Sequence, residues 1–390
     1  MTTFPSRFVG LPEARARFGD RVDRLAPYLT RVDTLADDVV ASIQAMPAGV
    51  GFRLFDRAAH EGIDRVTEAP ATFRALFAQA ERVPVWVDWS TIARGGQLLL
   101  RAGPLGGLVL GLKSLVLGYT SPAGNKPLVF SGRLEDHAAR RLLETARFVQ
   151  ATITPGGMLP RGLGWQITLK VRLIHAQVRS MILRSGRWDG AAWGAPINQH
   201  DQGGTSLLFS LAVLDGLRQL GVHVAPDDGE AYMHLWRWSG WVMGVDPELL
   251  PSTEAEGLRL AQLIAATQAP PDDDSRRLTR ALLESPIDRA TNERDRANAR
   301  RAARFSAAMC RALVGDETAD QLAVPRTPWR YMVPFVKRLV SGVDLVRSRV
   351  PFADVPALWA GTRYWDRVVD AGLAGAAAEF VLPQRLARAA

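Results

Sequence analysis

Apolar residues recur along this 390-residue chain with the three-to-four-residue spacing of amphipathic helices, and strand-like alternation never persists. The period predicts helices over 32–45, 51–67, 70–80, 89–102, 105–117, 134–152 and 164–183, and then over 204–220, 229–245, 254–267, 272–285, 292–313, 327–348 and 352–373. An all-α protein is therefore expected. Proline, glycine and short polar residues cluster at 121–125, 155–157, 194–204 and 270–274, which predicts loops there. The last is the best candidate for a domain border, yet the amphipathic helices beyond it read as an outer layer and not as a separate fold. No internal repeat or low-complexity tract interrupts the pattern.

One predicted helix is unlike the rest. In the run Val171-Arg172-Leu173-Ile174-His175-Ala176-Gln177-Val178-Arg179, spacings of three and four place Arg172, His175 and Arg179 on one stripe. Ile167, Leu169, Met181, Ile182 and Leu183 continue an otherwise apolar surface, so this helix is predicted to lie inside the protein. Buried guanidinium groups and an imidazole are costly alone, so something acidic or metallic is expected to meet them. A haem would satisfy both demands, with His175 on the iron and an arginine facing a propionate. The same spacing also describes a core histidine satisfied by its neighbours.

A second seam lies in 134–152, where His137, Arg141 and Thr145 follow at intervals of four among Leu142, Leu143, Ala146, Phe148 and Val149. Arginine and threonine donate hydrogen bonds suited to dioxygen in a dry pocket. With Arg140 and Glu144 beside them, these residues equally describe a solvated face. The loop 195–205 carries Asn198, Gln199, His200, Asp201, Gln202 and Thr205. Asp201 or Thr205 is expected to cap the following helix, and the density of amides suits a clamp on the His175 helix. His200 is the rival ligand, whereas His60, His223 and His234 suggest packing or surface positions.

Composition narrows the classes. At 47% hydrophobic residues the chain can bury a core large enough for an interior pocket. The net charge of +8 comes from arginines scattered through every segment without a dense aromatic-interleaved tract, which argues against nucleic acid as a partner. Cys310 is the single cysteine, excluding an intrachain disulfide framework and any cysteine-rich metal site. The first ten residues show no export signal, so a cytoplasmic location is expected. The apolar run 103–119 is interrupted by Lys113 and Ser114 and reads as a buried helix or channel wall, not a membrane span. In 327–348, Arg330, Lys337, Arg338 and Arg347 alternate with Trp329, Tyr331, Met332, Phe335, Leu339 and Leu345; a peripheral membrane contact is conceivable, but packing on the core is the plainer expectation. No phosphate loop, nucleophile elbow or His-Glu-x-x-His motif is present.

Val171 to Arg179, Pro196-Ile197-Asn198-Gln199, Asp201, Thr205 and the upstream Arg141 with Thr145 together resemble the family of bacterial latex-clearing proteins (rubber oxygenases) and the fungal oxygenase MpaB. The resemblance runs from about 84 to 237. It implies a b-type haem in a globin-like helical core with His175 as the proximal ligand, and a distal Arg141 and Thr145. One all-helical domain over 1–390 is expected, with the core at about 84–245 and an outer helical layer at 1–83 and 246–390. Two positions depart from the family. Glu144 stands where latex-clearing proteins carry a lysine, and Asn125 falls where they carry a catalytic glutamate. The expectation is a haem-dependent oxygenase that takes dioxygen and a small apolar, unsaturated substrate such as an isoprenoid, lipid or polyketide-like molecule. A haem-binding sensor or carrier without turnover is the alternative. The sequence sets no oligomeric state.

Overall fold

A computed structural model describes residues 4–130, 133–288, 290–350 and 352–373, the side chains of 133–141, 288 and 371–373 excepted. The chain opens with α1 (Leu11–Phe18), α2 (Arg21–Leu25), α3 (Thr34–Gln44), α4 (Val50–Glu61) and α5 (Ala71–Glu81). It continues through α6 (Trp89–Ala102), α7 (Pro104–Val109), α8 (Leu115–Gly118), α9 (Pro122–Phe130), α10 (Arg133–Ile153) and α11 (Leu163–Arg184). Then come α12 (Gly190–Trp193), α13 (Gln199–Phe209), α14 (Leu211–Gln219) and α15 (Pro226–Val242). The last six are α16 (Glu254–Ala266), α17 (Asp273–Asp288), α18 (Glu293–Val314), α19 (Asp316–Gln321), α20 (Val333–Arg349) and α21 (Asp354–Leu373). Among the described residues there is no strand, only an isolated bridge between Phe8 and Gln268. The expected all-helical class holds.

Side-chain caps start the main helices where the sequence offers short polar residues. Asp33, Asp88, Asn198, Thr253 and Asn292 accept from backbone amides at the first turns of α3, α6, α13, α16 and α18. Hydrogen bonds from Thr91 and Ser90 hold the Asp88 carboxyl at about 2. Asn198, not Asp201 or Thr205, caps α13, so that helix begins five residues earlier than the apolar period indicates. The segment read as one helix over 204–220 breaks at Ser210, whose ψ of −87° leaves the helical region. The segment at 121–125, expected as a loop, is the first turn of α9, because Pro122 sits at the start where its missing N–H costs nothing. The run 103–119 turns by 90° against α6 at Gly103 and passes through a π-helical stretch from Leu110 to Ser114.

The core is dominated by large rings and branched chains: Trp165, Trp238, Phe55, Phe73, Phe77, Leu98 and Leu99 are all essentially solvent-free. It gathers around α6, which packs on α15, α10 and α21. Gly95 and Gly96 permit that approach, since a Cβ at either would meet the Ala231 or Ile153 carbonyl oxygen at 2.3 or 2.2 Å. Trp86 and Trp89 pack edge-on against Trp238, and Leu98 to Leu100 are core residues. Among the described residues no single helix is long and apolar enough to cross a membrane.

Candidate active site

Helix α11 is held from one side by carboxylates. Arg172, 2% exposed, donates through Nε to Asp33 Oδ2 at 2.6 Å and through Nη2 to Asp33 Oδ1 at 2.9 Å, and its Nη1 reaches Gln79 and the Val242 carbonyl. Two turns further on, Arg179 Nη2 stands 2.7 Å from Asp37 Oδ1 and Nη1 donates to the Ile197 carbonyl at 3.1 Å. Burial pushes the Asp37 carboxyl up, and Arg179 offsets only part of that. Asp33 and Asp37 lie one turn apart at the start of α3 and take two arginines that lie two turns apart on α11. Gly244 closes the pair from above at a φ of +80°, where a Cβ would stand 2.6 Å from both the Arg172 guanidinium and Asp33 Oδ2.

These pairs correct one expectation. Arg172 and Arg179 line no part of the cavity described below; acidic side chains of α3 and its cap take both of them, and a propionate contact is withdrawn. The physical reason is angular. Seven residues leave the two arginines about 20° apart around the helix, whereas three residues rotate His175 about 60° away from Arg172, towards the face of Val171, Ile174 and Val178.

That other face borders a half-open cavity of about 1150 Å³. Val171, Ile174, His175 and Val178 form one wall, and Leu142, Thr145 and Phe148 of α10 form another. Ser114, Leu115 and Leu117 show that the run 103–119 does furnish a wall of this space. Asn125 and Glu144, the two positions that depart from the family pattern, also line it. Asn125 is 2% exposed, and its Nδ2 donates to the Tyr119 carbonyl at 2.8 Å and to Ser275 Oγ at 3.2 Å. Exposed Asp215, Arg218 and Gln219 form a polar rim at another end. Beside that rim the buried Lys113 ammonium donates to Asp215, Gln219 and the Leu313 carbonyl. Of the residues singled out from the sequence, the structure therefore brings Thr145, His175, His200, Asp201, Gln202 and Thr205 to one cavity. The side chains of Arg141 and His137 lie outside the described residues.

The loop before α13 closes the arrangement. Asp201 receives both terminal nitrogens of Arg7, at 2.7 and 2.8 Å, and Asn198 Nδ2 at 3.0 Å. Burial alone would raise the Asp201 carboxyl, but Arg7 and His200 outweigh it and hold it well below the usual range. His200 Nδ1 lies 3.2 Å from Asp201 Oδ1 and its ring stands edge-on to Phe8, while its buried Nε2 has no hydrogen-bond partner among the described residues; the rival ligand lines the same cavity as His175. The predicted clamp on the His175 helix includes the bond from Arg179 Nη1 to the carbonyl of Ile197, a residue with a φ of 53°. Sequence reasoning missed Arg7, Asp33 and Asp37. No local signal in the sequence pointed to any of them, because each pairs with a residue well over a hundred positions away.

The donors available in the cavity limit what it can hold. Among the described residues no three His, Cys, Asp or Glu side chains converge to bind a bare metal ion. A metal centre at His175 must bring most of its own ligands. A flat macrocycle does so, and at about 1150 Å³ this cavity is slightly larger than the roughly 300–1,000 Å³ usual for small-molecule sites.

Residues 89–344 match the family described as ER-bound oxygenase mpaB/B′/Rubber oxygenase, catalytic domain. The chain belongs to this oxygenase family. As a member it is 30% identical over 186 residues to the rubber oxygenase of Streptomyces sp. (strain K30), a match covering 47% of this chain and 46% of that relative. It thus aligns with about half the length of the relative. The solved structure of Latex Clearing Protein LCP in the closed state superimposes with a TM-score of 0.69 at 22% identity, over 87% of this chain and 91% of that one. That likeness establishes the shared oxygenase-family fold.

Proposed function

We propose that the chain is a b-type haem-dependent oxygenase acting on a small or medium apolar, unsaturated substrate. The observation that carries this reading is a histidine from the middle of a buried helix bordering a large, mainly apolar cavity, in a member of an oxygenase family. The residues fit the group: His175 as an imidazole donor, His200 as a second imidazole on the wall, a mainly apolar lining, and a volume of small-molecule size. When bound, haem supplies the redox chemistry with dioxygen that no side chain can supply.

The protein's part is to hold and to exclude. His175 is the iron ligand. Thr145 is a hydrogen-bond donor and acceptor on the α10 wall, and with Arg141 it orients dioxygen. Leu142, Phe148, Val171, Ile174 and Val178 keep water away and accept the hydrocarbon body of the substrate. Asn125 has no carboxylate with which to take a proton, and its amide nitrogen is committed to Tyr119 and Ser275. That observation favours a second reading, a haem-binding sensor or carrier without turnover.

An absorption spectrum of the purified protein tests the proposal. A Soret band that is lost in His175→Ala while the far-ultraviolet helical signal stays supports the ligand assignment; a band unchanged in that variant overturns it. Oxygen uptake with a panel of unsaturated isoprenoids and lipids separates the two readings, since a sensor or carrier leaves uptake at background with every compound.

A further inference from the structure

Helix α20 has no buried residue, although apolar side chains dominate it. Its inner side is already provided for. Val333 and Val336 touch the core, Ser341 Oγ donates to the Gly221 carbonyl, and Asp344 accepts from the His223 amide. A second apolar stripe faces solvent: Phe335, Leu339, Val343, Val346 and Val350 are 50–63% exposed. Spacings of four, four, three and four place them within about 80° of one another on a line some 22 Å long. The turn after it adds Phe352 at 86% exposure, and α21 adds Val355 and Trp359 at 63% each. A patch this long exceeds the scattered exposed hydrophobics of an ordinary surface. The expectation that this segment packs its apolar residues on the core is overturned for the outer stripe.

Charge selects the occupant. Between 326 and 349 there are six basic residues and one acidic residue, Asp344. Among the described residues Lys337, Arg338 and Arg349 have no carboxylate partner. Arg338 and Arg349 flank one border of the stripe, and Trp329, Tyr331 and Trp359 supply the amphipathic rings that settle at the boundary between headgroups and acyl chains. A second copy of this chain would bring the same positive charge to the contact. We infer that α20, the following turn and the start of α21 form an interfacial contact with anionic phospholipid membranes, the helix lying in the plane of the headgroups with its outer stripe among the acyl chains.

Co-flotation of the full-length protein with vesicles tests this without any substrate. Binding to phosphatidylcholine vesicles containing one-third phosphatidylglycerol is expected, with weaker binding to phosphatidylcholine alone and loss at high salt. The doubly substituted Leu339→Glu, Val346→Glu protein should lose binding while keeping its helical spectrum, because both side chains are exposed. Replacing Lys337, Arg338 and Arg349 by glutamine should weaken binding about a hundredfold, at roughly fivefold per charge. Failure of the unaltered protein to bind the anionic vesicles overturns the inference. So does binding undiminished in both variants, or a solution dimer that the glutamate variant dissociates.

Discussion

Arg172 and Asp33 form a two-pronged buried pair, 2.6 and 2.9 Å, beside the face that presents His175. The pair joins α11 to the first turn of α3, because Asp33 also accepts from the Ala36 amide. One carboxylate therefore starts one helix and anchors another. Asp33→Ala strands a guanidinium in the core and removes a cap, so a loss of about 3–5 kcal/mol is expected. Urea unfolding followed by circular dichroism measures it, and an effect below about 1 kcal/mol would show that the pair does not hold α11.

Gly244 meets the same pair through its missing side chain. Its φ is +80°, and a methyl group there would stand 2.6 Å from both the guanidinium and the carboxylate, so Gly244→Ala combines a left-handed backbone with a clash. A destabilisation of at least about 1–3 kcal/mol is expected, and a lower Tm in differential scanning calorimetry records it.

How much of this was legible in advance depends on the range of the interaction. The period of the apolar residues showed the helices, and the arginine–histidine spacing in 172–179 marked α11 as buried and in need of acid. Which acid could not be read, because Asp33 and Asp37 lie about 140 residues away and look like ordinary first-turn carboxylates. The division of that stripe was equally hidden: rotations of only about 60° and 40° separate Arg172 and Arg179 from the imidazole, and only packing decides where a wall ends. Arg7 was invisible for the same reason, since its partner Asp201 is 194 residues distant. The outer stripe of α20 misled in the opposite direction. Its periodicity is that of a core helix, and periodicity does not tell which side faces water.

Acid should expose the contribution of Asp201. Its carboxyl is depressed in the folded protein, and an unfolded aspartate titrates near about 3.9. The sign follows: the stabilisation is fully present above about pH 4 and is withdrawn as the pH falls below that value. Asp201→Asn should therefore cost about 2 kcal/mol at pH 7, with the gap from the parent protein narrowing in acid. Denaturation midpoints measured from pH 7 down to pH 3 check this, and a gap independent of pH would count against it.

Cys310 is solvent-free, and burial pushes its thiol up to about 12. Only the thiolate reacts with disulfide reagents, so the folded protein should resist labelling near pH 8 and release one equivalent of chromophore once unfolded. Prompt labelling without denaturant would contradict the packing around α18.

Thr145 offers the sharpest test of the proposed chemistry. Thr145→Val keeps the volume of the cavity wall and removes a hydroxyl. Under the oxygenase reading, turnover should fall about a hundredfold while the Soret absorbance is retained. Oxygen consumption and the visible spectrum of the same sample report the two quantities separately.

The ion pairs beside the cavity face of α11 have a practical consequence for redesign. Stiffness is delivered to this helix by Asp33 and Asp37, and shape is delivered by Val171, Ile174 and Val178 on a different side. An engineer can recarve the chamber for bulkier or slimmer hydrocarbons by exchanging those aliphatic residues, leaving untouched the scaffold that aims the imidazole.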